Sequence, residues 1–487
     1  MGSFDVITFS WAWLWIAAIA ALFYWVAQAI YLLYFHPAAK IPGPKLAAVS
    51  YAPYCYQWIR GRYPWHQEKL LHQYGDVVRV GPNEVVFFTP QAAMDIYGPA
   101  VKNQELFTKT DLMDFGAGDL GFIWENDPAK RKAVAKKTLP AFSSNATRDK
   151  EPVVHQYTDL FVDKLKELGS RPEGLLMNDW TLWLGIDMAA DLAYSREFHH
   201  VRDGKTSDFV ETIRSTSLAG TLFQLAKKMP LIGILAPLFV PLRVLRTIPA
   251  VLRNNVIESM TKKELVRIEQ VAFQMFVAGF DPIQIMFYAV LFLLLKYPET
   301  RVRLTNELRE RFNKYEDITA DALIQLPYLN ALIHEALRLH LTGASGFPRV
   351  SPGAVVDGVY VPKGVVVQLS TFTAMRHPRY FTDPLEFRPQ RWLPPDHPLY
   401  EKRYADDNLK AFSPFGLGPR QCSGREIAWS QTRLFLGKLL WTFDLEGVKG
   451  HDKSIDKDFT VHVMWNRPEL WVRFLPVGEE PSLEKGK

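Results

Sequence analysis

The sequence predicts a mainly α-helical protein with small β-sheets, carried behind a single N-terminal transmembrane helix. Three observations predict it. An uncharged apolar stretch opens the chain. Helical spacing of apolar residues recurs at about 128–143, 153–167, 177–193, 206–226, 262–296, 298–314 and 426–443. Only two stretches, 74–89 and 355–370, read as hairpins. Hydrophobic residues make up 48% of the 487 and charged residues 22%, which is globular and not disordered composition. Lysine and arginine total 57 against 52 acidic residues, and a net +5 is too small over this length to mark a nucleic-acid binder.

Taking the elements in order, Trp11 to Ala27 contains no charged or amide side chain, and the apolar run reaches Phe35 broken only by Gln28. At ~1.5 Å per residue such a helix spans about 37 Å, enough to cross a hydrocarbon core. A cleaved signal peptide needs a basic start and a small-residue cleavage site, whereas this start carries Asp5 and no Lys or Arg. The span therefore reads as a retained anchor, residues 1–36. Lys40 and Lys45 follow it and Asp5 precedes it, so the positive-inside tendency puts residues 37–487, one body, in the cytosol. Between them, Pro37, Pro42 and Pro44 read as a stiff extended spacer. Leu231–Leu242 is apolar but interrupted by Pro237 and Pro241, and reads as core or as a segment dipping into the bilayer surface.

In 74–89, YGDVVRVGPNEVVFFT, a Gly-Pro-Asn turn separates two β-branched runs; 355–370 carries Asp-Gly and Pro-Lys-Gly turns. Two patterns are decoys. Gly116 to Gly121 fits a dinucleotide-loop spacing, but no strand precedes it and no helix starts in it. His334-Glu335 lacks a second histidine four residues from the first, because the next is His340. Lys130, Arg131, Lys132, Lys136 and Lys137 place five cations in eight positions, a solvated face or a docking surface.

There are two cysteines, Cys55 and Cys422, which excludes a disulfide framework and a cysteine-rich zinc site. Residues 412–428 read FSPFGLGPRQCSGREIA. A thiolate there can ligate a metal, act as a nucleophile, or be inert. No recognisable base lies nearby in sequence. Gly416, Gly418 and Gly424 permit positive φ and close passage of a flat partner, and Arg420 can pair with that partner's carboxylate. Helix formers begin after Gly424, placing the sulfur near a helix N-terminus, which favours the anion. As bare chemistry, one thiolate under a flat dianion suggests haem iron, with the inert thiol left open.

Phe415-x-x-Gly418-x-Arg420-x-Cys422-x-Gly424 resembles the haem-binding signature of the cytochrome P-450 family at every defined position. Glu335-Ala336-Leu337-Arg338 resembles its E-x-x-R helix, and Phe387-Arg388-Pro389-Gln390-Arg391-Trp392 its F-x-P-x-R-W segment. The resemblance covers essentially the whole chain and is nearest to fungal microsomal members of secondary metabolism. It implies the cytochrome P-450 fold, and haem b as cofactor with Cys422 as axial ligand. It implies Arg420, Arg349 and Arg131 as partners of the haem propionates, and a structural network of Glu335, Arg338 and Arg391. The implied activity is oxidation of a lipophilic small molecule with O2 and electrons from an NADPH-cytochrome reductase, with cytochrome b5 as an accessory donor, at the endoplasmic reticulum membrane.

The chain departs from the family in three places. The oxygen-side helix reads Ala278-Gly279-Phe280-Asp281-Pro282-Ile283, so the acid is present and the usual threonine is proline. Proline cannot donate, and it frees the Ala278 carbonyl, leaving Asp281 to relay protons through solvent. Ala135 stands where an arginine contacts a propionate, with Arg131 or a neighbouring lysine as its substitute. The chain is also shorter than its relatives between about Leu242 and Lys262. Asp281, Gly279 and Pro282 are the expected catalytic positions. The expected pocket walls are 105–123, 272–283 and 342–348, with Phe273, Phe276, Phe280, Leu341 and Phe347 apolar within or beside them. A second reading makes the protein a haem-binding relative with lost or altered oxygen activation (an isomerase, a dehydratase or a non-catalytic pathway protein), because of Pro282.

Overall fold

The computed structural model describes residues 3–99, 105–114, 120–235, 238, 262–344 and 346–478. The short region between Leu242 and Lys262 and most of the Gly116–Gly121 motif lie outside them. The chain opens with a helix, Ser3–Ile30, that runs on through one π-helical turn, Tyr31–Phe35. From Trp11 to Phe35 its side chains are overwhelmingly exposed, and the stretch is long and apolar enough to cross a membrane.

The segment after it differs from the expected extended spacer. His36 to Ile41 forms successive turns, with Ala39 N donating to His36 O at 2.8 Å and Ile41 N to Ala38 O at 3.1 Å. Ala38 and Ile41 are buried. Only Pro42 to Pro44 stays extended, pressed against Arg79, whose amide donates to Pro42 O at 2.7 Å and whose carbonyl oxygen would stand 2.5 Å from a Cβ on Gly43. The π-helical turn is fixed to the body by the same Arg79, which is 2% exposed and donates from its side chain to Leu32 O at 2.8 Å and Pro82 O at 2.6 Å.

The 74–89 hairpin forms as Val77–Gly81 paired with Glu84–Phe87. It continues into a five-stranded sheet through Val366–Leu369, Arg349–Val350 and Thr108–Lys109. The Asp357-Gly358 turn closes a separate hairpin, Ala354–Val356 with Val359–Val361, so 355–370 divides between two sheets. Asp357 (φ 45°) and Gly358 (φ 77°) are both left-handed, the turn that matches strand twist.

Helical periodicity locates Glu151–Leu168, Met177–Tyr194, Asp208–Lys228, Pro298–Arg311 and Arg425–Thr442. The centre of the body is the Lys262–Lys296 helix, unbroken across Pro282. Its Glu269–Lys296 stretch also has membrane-spanning length and hydropathy, but it is core: Ile285, Phe287, Tyr288, Val290, Leu291 and Phe292 are fully buried. Small residues let it lie against Met177–Tyr194. A Cβ on Gly185 would stand 3.1 Å from the Phe280 carbonyl oxygen, and one on Gly279 3.3 Å from the Ala189 Cβ.

Candidate active site

The loop around the second cysteine is shaped by its own backbone. Cys422 N donates to Phe415 O at 2.8 Å, and Gly416 (φ 72°) and Gly418 (φ 67°) are left-handed. Gly418 is pressed against the end of Pro90–Tyr97, where a Cβ would stand 2.0 Å from Tyr97 O. Gly424 departs from expectation: its φ is −84°, and it is the N-cap of Arg425–Thr442. Burial pushes the Cys422 thiol up, while the Gly424 amide and Arg425 pull it down. The side chain is nonetheless accessible, unlike Cys55, which is 3% exposed with its thiol pushed up to about 11 by burial. Among the described residues no group of three or more His, Cys, Asp or Glu converges to hold a metal. Iron in a macrocycle, which brings its other ligands with it, is compatible with a lone thiolate here.

Four cations meet nearby without a carboxylate partner among the described residues. Arg420 donates to Glu125 O at 2.7 Å, and Arg349 to Phe347 O at 3.2 Å and Pro348 O at 3.1 Å. Arg131 turns inward, its guanidinium 4.0 Å from the centre of the Phe122 ring. The fourth, Lys109, was not legible in the sequence; its Nζ donates to Ile123 O. Burial and then the Arg349 and Arg131 charges pull Arg420 down to about 10, and burial plus the three arginines hold Lys109 well below the ordinary lysine range. Burial also lowers Arg349 and Arg131. Arg131, Lys132, Arg349 and Arg420 line a cavity of about 490 Å³ with Tyr97 and Phe107, and Asp95 and Glu105 also line it without pairing with these cations. Partly desolvated like charges are unstable together without an anion, and a macrocycle with two carboxylates fits both the sulfur and this cluster. Ala135 is buried against Phe122, so it packs where an arginine was sought.

Glu335, Arg338 and Arg391 come together. Arg338 is bidentate to Glu335, Nε and Nη2 each 2.8 Å from a carboxylate oxygen, and Arg391 Nε adds a bond at 3.0 Å. Trp392 Nε1 and the Arg388 amide also donate to Glu335, each at 2.9 Å, and Arg391 pairs with Asp407. Burial raises the Glu335 carboxyl, but the two guanidinium groups outweigh it and hold it below the usual range. Trp392 packs on Phe412, 4.6 Å between ring centres, at the start of the cysteine loop.

On the long helix, Asp281 is pushed up to about 6 by burial and accepts a bond from Gln284 Nε2 at 3.0 Å. Gln284 in turn accepts from Arg467, at its carbonyl (3.2 Å) and at its side-chain oxygen. Gln284 and Arg467 were not singled out in the sequence, although the i, i+3 spacing from Asp281 to Gln284 was available. The apolar wall expected from Phe276 and Phe280 is corrected: both are core, at most 1% exposed, packed with Leu182, Ile186 and Ala189. Residues four apart share a face, and theirs is turned to the neighbouring helix. Ala278 is exposed instead. Leu341 is also buried, and Phe347 is 57% exposed.

A helical body with small sheets, one accessible thiol on a glycine-shaped loop and a half-buried cation cluster fit a haem-thiolate protein. The family model for Cytochrome P-450 matches residues 244–473. The cytochrome P-450 monooxygenase TwmD of Talaromyces wortmannii is 41% identical, over 94% of this chain and 95% of that protein. BOA3 of Botryotinia fuckeliana is 32% identical over 95% and 96%, and poxC of Penicillium oxalicum 31% over 94% and 94%; both are cytochrome P-450 monooxygenases. The chain belongs to the cytochrome P-450 family. It is an oxidoreductase, a monooxygenase whose haem iron takes a cysteine thiolate, and it works with O2, a substrate and a redox partner.

Proposed function

We propose that the chain is a membrane-anchored monooxygenase of fungal secondary metabolism, oxidising a lipophilic small molecule at the endoplasmic reticulum with electrons from an NADPH-dependent reductase. The observation that carries the reading is the cysteine loop bearing Cys422 and Arg420, with Arg420 clustered with Arg349, Arg131 and Lys109, cations that meet backbone carbonyls or an aromatic ring and no carboxylate among the described residues. Haem bound there supplies dioxygen activation. Cys422 supplies its axial sulfur, with Phe415, Gly418 and Gly424 shaping the loop. Arg420, Arg349, Arg131 and Lys109 hold its carboxylates. Glu335, Arg338 and Arg391 fix the segment that buttresses the loop. Asp281, poised near neutrality, holds and releases a proton beside Pro282, and Gly279 lets the helix lie close to its neighbour.

Residues 1–36 are the anchor and 37–487 the haem-thiolate body. Leu231, Ile234, Leu235 and Leu238 are exposed, which favours contact with the bilayer surface over a core role. The test is the reduced carbon monoxide spectrum. The strongly red-shifted band is expected in the wild type and absent in Cys422→Ser, and its survival in that variant removes the assignment. The second reading, haem binding without oxygen activation, rests on Pro282 alone. Coupled NADPH consumption and product formation in the presence of a reductase separates the two.

A further inference from the structure

Gln274 lies on the long helix, is 1% exposed, and takes no part in the chemistry above. Its carboxamide is spent on one backbone stretch. Oε1 accepts from Phe122 N at 2.9 Å and Ile123 N at 2.6 Å, while Nε2 donates to Leu120 O at 2.8 Å. The loop is built to receive it. Gly121 is left-handed (φ 63°), and a Cβ there would stand 2.5 Å from Nε2. Val271 and Met275, flanking Gln274, pack with Ile123 against the small buried cluster of Phe122, Val134 and Ala135, which stands apart from the main core.

The two residues held this way each carry a cation. The Ile123 carbonyl accepts from Lys109, and the Phe122 ring underlies the Arg131 guanidinium. We infer that Gln274 is a positioning residue that locks residues 120–123 to the long helix and, through Ile123 and Phe122, sets Lys109 and Arg131 against the haem carboxylates. The inference rests on the haem reading of the site. Its consequence is electrostatic: cations held close to the carboxylates favour the more negative, reduced haem, so loosening them lowers the reduction potential.

The experiment compares wild-type holoprotein with Gln274→Ala in three measurements: the reduced carbon monoxide band, the reduction potential by spectroelectrochemical titration, and haem loss to apomyoglobin. Gln274→Ala should keep the band, titrate at lower potential and lose haem several-fold faster. The same substitution added to Lys109→Met and Arg131→Leu together should move the potential much less, because its route is already cut. If Gln274→Ala does not load haem, Gln274→Leu, which fills the space without polar atoms, is measured in its place. A variant that melts at lower temperature with unchanged potential and haem loss overturns the inference. A wild type without the band removes the haem reading itself, so the two failures are distinguishable.

Discussion

Lys109 stands directly opposite Arg349 in an antiparallel strand pair, cation facing cation, beside Val350 paired with Thr108. Like charges in that position repel. Neither has a carboxylate partner among the described residues, and Arg420 and Arg131 add to the same field. An anion between them would relieve that repulsion. The strands are two residues long, and their pairing places the two side chains opposite each other.

Lys109→Met therefore removes one haem contact and also relieves the repulsion in protein without haem. A hydrogen bond to a charged group contributes about 1.5–3 kcal/mol, so haem loss should accelerate roughly 10- to 100-fold. The apoprotein should become more stable. The sign of its pH dependence follows from the lowered Lys109 value: the unfolded chain binds the proton more readily, so the lysine lowers stability below its ordinary pKa near 10.5, and that penalty shrinks as pH rises toward it. Chemical denaturation of apo Lys109→Met at pH 7 and 9.5 checks this, because the variant should lose that part of the slope. An apoprotein destabilised by the change contradicts the repulsion argument.

Glu335 receives two arginines, an indole and a backbone amide, and no water-facing route replaces them. Breaking a buried ion pair from one side typically costs ~3–5 kcal/mol. Glu335→Gln keeps the size but removes the charge that two guanidinium groups face, and should give little haem-loaded protein. Trp392→Phe removes a single donor and should lower stability by about 1 kcal/mol with normal haem content. Equal yields of both variants, measured as haem per protein, would place the network outside the folding of the site.

Legibility followed how local each signal was. The cysteine loop was readable because its glycines, Arg420 and Cys422 are contiguous, and the helices because their apolar period repeats over many residues. Lys109 was not, since a two-residue strand has no period and its meaning comes from Arg349, 240 positions away. Arg467 lies 183 positions from Gln284 and was hidden for the same reason. Phe276 and Phe280 were assigned to the right helix and the wrong face, because composition does not orient a helix that is apolar nearly all round. The segment 36–41 misled because Pro37 excludes a helix but leaves turn and extended forms both open.

Asp281 separates stability from function. Its folded pKa, about 6, exceeds the ordinary 3.8, so its contribution is fully present below about 4 and is lost as pH rises through 6. Asp281→Asn should then raise stability at pH 7 by on the order of 1–3 kcal/mol, and by almost nothing at pH 4. It should also uncouple NADPH consumption from product, because an amide relays no proton. Pro282→Thr, which restores a hydroxyl beside the acid, should keep or improve coupling. Intact coupling in Asp281→Asn ends the relay role.

The anchor's boundary is set by Arg79. Removing residues 1–30 should release protein from membranes and leave the Leu32 carbonyl in place for the buried guanidinium. Removing 1–36 takes that acceptor away, and an unmade bond to a buried charge costs roughly 1–3 kcal/mol. Both truncated proteins should show the carbon monoxide band, with the longer deletion unfolding at lower denaturant. Identical midpoints would mean that water replaces the Leu32 carbonyl without loss.

On the Pro128–Thr138 helix, Lys130, Lys132, Lys136 and Lys137 are exposed and in no ion pair among the described residues, while Arg131 turns inward. The helix thus presents four lysines to solvent, Lys132 at the rim of the cavity that Arg131 lines, and turns one arginine inward. Four cations within about a Debye length of one another should steer an acidic electron donor and raise its association rate at low salt. Charge reversal at Lys130, Lys136 and Lys137 should slow reductase-supported haem reduction roughly 10-fold or more at low ionic strength and flatten its salt dependence. Haem content and peroxide-supported turnover, which bypass the donor, should be unchanged. Arg131→Leu should do the reverse, accelerating haem loss while leaving the salt dependence of reduction intact. Equal loss by both routes in the lysine variant would mean that these lysines, and not Arg131 alone, hold the haem.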